Sequence, residues 1–479
     1  MNNLVDISRF AGVTSDSRAV VSGGLFVAVQ GAKADGRDFI EQAIARGAAA
    51  VLTDMRPGAD AWRARVEVLQ DPDPRRRLAE LAAAYYRFRP ATAALVTGSS
   101  GKTSTVEFAR QIWSALGRPA ASVGTLGVIA PDAAHYGGLT SPDPVALMAT
   151  LTGLAAADVV AVAIEASSHG LDQRRLDGVG AEVGVFTSFS RDHLEYHGDE
   201  ETYLAAKLRL FTGAMAPGGF ALVAAGVRHA DRIGKAAEAA GHMALTYGRR
   251  GRFLTLRDTQ PDQFGLILNI GFEGGSARVR LDHFATFQAE NALAAACCAI
   301  VSGADPKDAV AAIEGLAQPP GRMQRAAVTP EGAPVYVDYS HKPGALEAAL
   351  QALRTVTPGR VTVVFGCGGD RDAGKRPMMG EIATRLADRV IVTDDNPRSE
   401  DPARIRAAVM AAAKGAEEIG DRRAAIRAGV AELSAGDALL IAGKGHEQGQ
   451  IVGARVLPFD DVEEAALAVA ALGGREAAE

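Results

Sequence analysis

The sequence predicts a three-domain α/β protein. Its 479 residues exceed what one hydrophobic core organises, so roughly two to four domains are expected. A glycine-rich turn at 97–104 stands between an apolar strand and a helical stretch, which is how a parallel sheet of the P-loop ATPase type begins. From 322 onward, apolar strands alternate with alanine-rich helices, the pattern of a doubly wound Rossmann-like unit. The expected domains are a small N-terminal α/β domain over 1–88, the central sheet domain over 89–321 and the Rossmann-like domain over 322–479.

In the first segment, Gly24-Leu25-Phe26-Val27-Ala28-Val29 reads as a short strand. A helix near 40–46 would end at Gly47, since glycine takes the left-handed cap position without a Cβ clash. A charged helical stretch over 74–87 is broken by Arg89-Pro90. In the second segment, Ala93-Ala94-Leu95-Val96 leads into the glycine-rich turn, and 105–110 looks helical. The run 159–164 is fully apolar, as a buried parallel strand should be, and 182–186 is a further strand. Residues 203–211 form an amphipathic helix, and Pro319-Pro320-Gly321 punctuates the end of the segment. The last segment offers strands at 335–337, 361–365, 390–392 and 438–442.

The turn reads Thr97-Gly98-Ser99-Ser100-Gly101-Lys102-Thr103-Ser104. The strict phosphate-binding pattern is G-x-x-x-x-G-K-[ST]; here Val96 stands where its first glycine would be, and Gly98 gives a shorter loop. Backbone N–H groups of such a turn converge on phosphate oxygens, and the following helix adds its positive dipole end. Gly98, Ser99, Ser100, Gly101, Lys102, Thr103 and Ser104 are therefore candidate nucleotide-binding residues. Lys102 would reach the terminal phosphates and the Thr103 hydroxyl a magnesium ion, which predicts a user of ATP or GTP. The departure from the strict pattern points away from ordinary GTPases and transporter ATPases.

Two further segments follow strands, where open α/β sheets bind ligands. Glu165 closes the strand 159–164 and is a candidate metal ligand. Ser190-Arg191-Asp192-His193 follows the strand 182–186, and the His193 imidazole could coordinate a divalent ion. By charge alone, Lys207 on the helix 203–211 reads as solvated.

Composition excludes other classes. A net charge of −6 argues against a general nucleic-acid binder. Cys297, Cys298 and Cys367 supply neither a disulfide framework nor zinc spacing. The start, Met1-Asn2-Asn3-Leu4-Val5-Asp6, has no basic region before an apolar core and does not read as a signal peptide. No apolar run is long enough to span a bilayer. A cytoplasmic, monomeric enzyme without membrane or nucleic-acid partners is expected.

Together these motifs resemble the Mur ligase family, ATP-dependent amide-bond-forming enzymes of bacterial peptidoglycan synthesis. Residues 97–104 match its shortened phosphate loop. Glu165-Ala166-Ser167-Ser168-His169-Gly170-Leu171 and Ser190-Arg191-Asp192-His193-Leu194 match its metal-binding segments. Phe287-Gln288-Ala289-Glu290-Asn291 looks like its nucleotide-contacting helix start. Pro320-Gly321-Arg322-Met323 and Val337-Asp338-Tyr339-Ser340-His341 match its next nucleotide contacts. The resemblance implies nucleotide roles for Asn291, Arg322 and Asp338, with ATP and Mg²⁺ as cofactors. It also implies that Lys207 is carbamylated, which would turn a cation into an anion able to orient a metal. Among the departures, Ser188 stands where relatives often have asparagine, and Lys342 where threonine is commoner.

Within the family, the resemblance is to the member that adds the third residue of the peptide stem. Thr14-Ser15-Asp16-Ser17-Arg18 resembles its uridine-nucleotide-binding start, which implies Ser15 and Ser17 as contacts. Thr140-Ser141-Pro142, Ser167, Gln173 and Arg175 resemble its muramyl-dipeptide contacts. The stretches 366–372, with Arg371, and 443–447, with Gly443 and Glu447, look like its amino-acid site. Asp395-Asn396-Pro397-Arg398 resembles the signature of the form that selects meso-diaminopimelate. The implied substrates are UDP-MurNAc-L-Ala-D-Glu and meso-diaminopimelate. The implied catalytic set is Lys102, Lys207, Glu165 and His193, with metal ligands Thr103, Glu165 and His193. A lysine-adding relative, a folylpolyglutamate synthetase and a nucleotide-driven switch or motor stand as alternatives.

Overall fold

The computed structural model describes residues 5–31, 34–54, 60–135, 139–262, 264–473 and 475–476. The first four residues of the N-terminal stretch considered above lie outside them. The chain divides into two compact units. One comprises Met1–Phe189, His197–Phe253 and Cys297–Asp305; the other comprises Ser190–Tyr196, Leu254–Ala296 and Pro306–Glu479. The three expected α/β sheets are present.

The N-terminal sheet consists of four parallel strands in chain order: Val13–Thr14, Leu25–Val27, Ala50–Thr53 and Glu67–Gln70. Its apolar face packs on Leu78 and Leu81 of the helix Pro74–Tyr85. Asp73 starts that helix by accepting from the Arg76 N–H, and Pro74 fits the first turn because no N–H is needed there.

In the central sheet, the strand Thr92–Thr97 lies between Ala161–Glu165 and Ala181–Phe186, parallel to both. All three are buried along their length, apart from half-buried Thr92 and exposed Glu182, which explains their near-continuous apolar sequences. The register pairs Val96 with Glu165 and Thr97 with Phe186. The loops leaving these strands therefore start side by side at one sheet edge.

The helix after the glycine-rich turn spans Lys102–Ala115, starting earlier than the sequence suggested, directly at the lysine. The sheet continues through Met215–Ala224 and Met243–Gly248 on one side. On the other it passes through Ala120–Gly124 to a hairpin of Gly127–Ala130 and Ala133–His135.

The second unit contains an antiparallel meander, Leu254–Asp262, Gly265–Phe272 and Gly275–Leu281, which the expected β–α alternation did not include. Its main sheet has the order Glu417–Glu418, Arg389–Val392, Val361–Phe365, Ala438–Ala442, Pro334–Asp338, Gln324–Val328, Arg475–Glu476. The first five are parallel, and Gln324–Val328 runs antiparallel to both its neighbours, Pro334–Asp338 and Arg475–Glu476. Phe365 pairs with Val392 and Ala442, and Asp338 with Ala442, so four strands end at one level. Cys297, Cys298 and Cys367 are buried free thiols, and burial pushes Cys298 and Cys367 up to about 12, which leaves them poor nucleophiles. Among the described residues, no helix is long and apolar enough to cross a membrane.

Candidate functional site

In the first unit, the glycine-rich turn is stitched to the loop after the strand Ala181–Phe186. Ser99 N–H donates to the Ser188 carbonyl (3.0 Å), and Ser100 N–H to the Ser188 hydroxyl (2.8 Å). The Thr187 hydroxyl donates to the Ser100 carbonyl at 2.6 Å. The Ser188 hydroxyl thus supplies the side-chain acceptor for the turn. The approach is close enough that only glycine fits at 98. A Cβ there would lie 2.0 Å from Thr187 Oγ1, and the backbone φ is +148°.

Lys102 Nζ donates to the Gly98 carbonyl (2.8 Å) and to Ser99 O (3.4 Å). Lys207 is not solvated, contrary to the reading from charge alone. It is 1% exposed, and its Nζ donates to the same Gly98 carbonyl at 2.8 Å. The reason is helical spacing: Tyr203, Lys207 and Phe211 follow one another at intervals of four and share the buried face. The Lys207 ammonium lies 4.6 Å from the Tyr203 ring centroid, and the Tyr203 and Ser99 hydroxyls are 3.1 Å apart.

A second cluster gathers around Glu165, which is buried at the end of its strand. Thr103 Oγ1 donates to Glu165 Oε1 (3.0 Å), as does the Thr125 N–H (2.8 Å), and the Thr125 hydroxyl donates to Oε2 (3.2 Å). A Cβ on Gly124 would stand 2.4 Å from Glu165 Oε1, so that glycine makes room for the carboxylate. Thr140 and Thr125 hydroxyls lie 3.1 Å apart. Ser141 Oγ donates to the Glu165 carbonyl (2.8 Å) and lies 3.0 Å from Ser167 Oγ. Arg175 donates to Ser141 O (2.8 Å) and to Gln173 Oε1 (2.6 Å). One connected set thus holds Thr103, Glu165, Thr140, Ser141, Ser167, Gln173 and Arg175. Ser104 is buried on the first turn of the following helix.

In the N-terminal sheet, Ser17 is buried and donates to Gln42 Oε1 (2.6 Å), while Ser15 is half-buried. Beside them, a cavity of about 200 Å³ is lined by Val13, Thr14, Leu25, Tyr85 and Tyr86 among others.

His193 belongs to the second unit. Its ring nitrogens lie 3.4 Å from Asp192 Oδ2 and 3.4 Å from Glu195 Oε1, and Lys342 pairs with the same Asp192 at 2.6 Å. Lys342 therefore places an ion pair beside His193. Among the described residues, no group of three or more His, Cys, Asp or Glu side chains is arranged to hold a metal. Thr103 and Glu165 together still form an oxygen-only donor pair. That suits magnesium, which keeps several waters and takes few protein ligands.

Elsewhere in the second unit, Asn291 donates to Gln288 Oε1 (2.8 Å), and Gln288 in turn to Arg322 O (3.4 Å). The Arg322 guanidinium stacks 4.5 Å from the Tyr339 ring centroid. Asp338 accepts from the Met323 N–H (2.8 Å) and from the Ser340 hydroxyl. Burial pushes its carboxyl up, opposed by the Ser340 hydrogen bond and the Arg322 charge.

Asp395, Asn396, Pro397 and Arg398 leave the end of Arg389–Val392, and Gly443 and Glu447 follow Ala438–Ala442. Asn396 Nδ2 donates to Glu447 Oε2 (2.8 Å), and Arg398 Nη1 donates to Gly369 O (2.9 Å). Arg371 is exposed on the neighbouring loop. His193, Met323, Asp370 and Arg398 all hold left-handed backbones, with φ of 51°, 50°, 54° and 51°. Such strain in non-glycine residues concentrates at functional sites.

The sequence reading missed Thr125, which fixes Glu165, and Lys444, which is buried between Asn396 and Glu447. A threonine carries no motif of its own, but Lys444 stands inside the quoted stretch 443–447.

Residues 9–86 match the pattern described as the Mur ligase family catalytic domain. Residues 96–299 match the Mur ligase middle domain, and 321–445 the Mur ligase glutamate ligase domain. The UDP-N-acetylmuramoyl-L-alanyl-D-glutamate–2,6-diaminopimelate ligase of Agrobacterium fabrum is 50% identical over 97% of this chain and 94% of its own. The chain belongs to the Mur ligase family. The ligase of that same name from Caulobacter vibrioides is 48% identical over 95% of this chain and 94% of its own. A solved structure of a ligase of that name matches this Mur ligase with a TM-score of 0.71 at 34% identity, covering 97% of this chain and 95% of the other.

Proposed function

We infer that this Mur ligase joins meso-diaminopimelate to UDP-MurNAc-L-Ala-D-Glu in an ATP-dependent amide ligation. The observation that carries this reading is the 50% identity over 97% of the chain to a ligase of that substrate pair. A carboxylate is a poor electrophile, so ATP must first phosphorylate the γ-carboxylate of D-glutamate. An amine of diaminopimelate then attacks the acyl phosphate, forming the C–N bond and expelling inorganic phosphate.

The proposed domains are 1–88 for the uridine nucleotide, with Ser15 and Ser17, 89–321 for ATP and 322–479 for the amino acid. The 200 Å³ cavity at Thr14, Tyr85 and Tyr86 offers aromatic surface in the first. In the second, the N–H groups of 98–104 and Lys102 cradle the transferring phosphoryl group and neutralise its charge. Thr103, Glu165 and His193 are the residues that would hold Mg²⁺, which when bound neutralises charge between ATP and the acceptor carboxylate. Lys207 as a carbamate would present an anion beside the loop. Thr140, Ser141, Ser167, Gln173 and Arg175 are proposed to hold the dipeptide end. In the second unit, Asn291, Arg322 and Asp338 are proposed as nucleotide contacts, Asp338 as an acceptor for hydroxyl groups.

In the amino-acid site, Arg371 and Arg398 would take carboxylates through planar forks, and Glu447 an ammonium. L-Lysine has no second carboxylate, so it would leave a charged subsite unfilled at a cost in binding. The test is phosphate release from ATP with UDP-MurNAc-L-Ala-D-Glu and either meso-diaminopimelate or L-lysine. Release that depends on diaminopimelate is expected. Release without any amino acid, or equal release with lysine, would overturn the reading.

A further inference from the structure

We propose that Lys444 and the hairpin of Gly449–Val452 and Arg455–Pro458 are positioning elements that aim Asn396, Arg398 and Glu447 and thereby set amino-acid selectivity. The proposal rests on the ligase reading above.

Lys444 is 0% exposed. Its ammonium donates to Asn396 Oδ1 (3.1 Å), to Glu447 Oε2 (3.3 Å) and to the Gly449 carbonyl. An ammonium has three protons, and three acceptors use them. Lys444 therefore has none left for a substrate and acts through its partners. Those partners also bond to each other, since Asn396 Nδ2 donates to the same Glu447 oxygen at 2.8 Å. The amide orientation of Asn396 and the rotamer of Glu447 are thus set by one buried charge.

The hairpin then grips the loop 395–398 at Asp395, Asn396 and Arg398. Gln450 Nε2 donates to Asp395 O (2.7 Å), and Ile451 N–H to Asn396 Oδ1 (2.9 Å). Arg398 N–H donates to Ile451 O (3.0 Å), and Gly453 N–H to Arg398 O (2.7 Å). These last two bonds hold Arg398 against Val452 as a parallel bridge and maintain its left-handed φ of 51°. The hairpin does little for the core: Val456 is 66% exposed and Leu457 42%. Its inward bonds go to the segment proposed to read the amino acid. Recognition groups need such a supporting layer, because a fork misaimed by about 1 Å loses its bidentate geometry.

The test is steady-state phosphate release by the full chain, varying each substrate in turn, for the wild type, Lys444→Met and Gln450→Ala. Lys444→Met is expected to raise KM for meso-diaminopimelate about tenfold or more, the scale of a lost charged hydrogen bond. Its KM for ATP should stay within about twofold, and its preference over L-lysine should shrink. Gln450→Ala removes one partly exposed tie without a buried charge and should move the same two quantities less. It decides the matter if the Lys444 variant does not fold. Unchanged KM and selectivity in the folded variants would overturn the proposal. So would proportional losses for all three substrates, which is the signature of a purely structural role. A wild type without diaminopimelate-dependent turnover would reject the ligase reading itself, and this proposal with it.

Discussion

The ammonium groups of Lys102 and Lys207 meet on a single oxygen, each donating to the Gly98 carbonyl at 2.8 Å. Two cations on one acceptor repel, and the repulsion falls when an anion joins them: a phosphoryl group at Lys102, a carbamate on Lys207. Lys102→Ala removes the cation that follows the transferring group. Ligation should fall by roughly 10²-fold or more, the typical effect of an electrostatic group of this kind. Single-turnover phosphate release measures it, and near-normal rates would refute the role given to the loop.

Lys207→Ala should also be inactive, for a different reason. Its amine is buried against Tyr203, so a small cavity remains where a carbamate would stand. Bicarbonate or a short carboxylic acid should partly restore turnover by supplying the anion. A variant that is active without additives would refute carbamylation.

Gly98→Ala should damage the nucleotide site through the backbone. The new Cβ would fall 2.0 Å from Thr187 Oγ1 and 2.9 Å from Ser188 N, at a φ that side chains rarely adopt. A cost of about 1–3 kcal/mol in stability is expected, with weakened ATP binding. Thermal melts with and without ATP would report both. A wild-type melting temperature would show that the loop relaxes more freely than its bonds to Thr187 and Ser188 suggest.

Glu400 gives a pH prediction. Both its oxygens accept from the Arg376 guanidinium, at 2.8 and 2.9 Å, and Oε1 also accepts from the Asp370 N–H. The Arg376 hydrogen bond holds its carboxyl below the ordinary 4.5. A depressed carboxyl stabilises the fold above its unfolded value, and the contribution is lost as pH falls through the lower folded one. Stability should therefore drop below about pH 4.5, and Glu400→Gln should flatten that part of the curve while lowering stability at pH 7. Denaturant midpoints across pH 3 to 7 test it; a variant curve parallel to the wild type would contradict the assignment.

Much of this was legible in the sequence because parallel strands announce themselves. The apolar runs at 93–96, 361–365 and 438–442 are buried strands, and the motif residues leave their carboxyl ends. Lys207 was legible too, since Tyr203 and Phe211 four residues to either side place it on the buried face, yet charge suggested solvent. The meander from Leu254 to Leu281 went unread because its two-residue alternation is broken by a register shift between Leu256 and Asp258. The hairpin at 449–458 has exposed apolar residues and no buried face of its own, so no periodicity marks it. Its bonds to 395–398 join residues about fifty positions apart, which local pattern does not encode.

Arg398 carries the substrate preference in this reading. Its backbone is bound on both sides by the hairpin, through Ile451 O and the Gly453 N–H, and Nη1 rests on Gly369 O at 2.9 Å. The guanidinium is thus held in one orientation before any substrate arrives, which lowers the entropy lost on binding. Lysine cannot copy the planar fork, so Arg398→Lys should raise KM for meso-diaminopimelate strongly while ATP and the uridine substrate bind near normally. Arg398→Ala should cost about 2–5 kcal/mol in kcat/KM by leaving a desolvated carboxylate unpaired. L-Lysine should remain a poor substrate for the wild type, and the Ala variant should narrow the gap by losing diaminopimelate activity rather than gaining lysine activity. Unchanged diaminopimelate kinetics in Arg398→Ala would move the carboxylate contact elsewhere, with Arg371 on the adjacent loop the next residue to substitute.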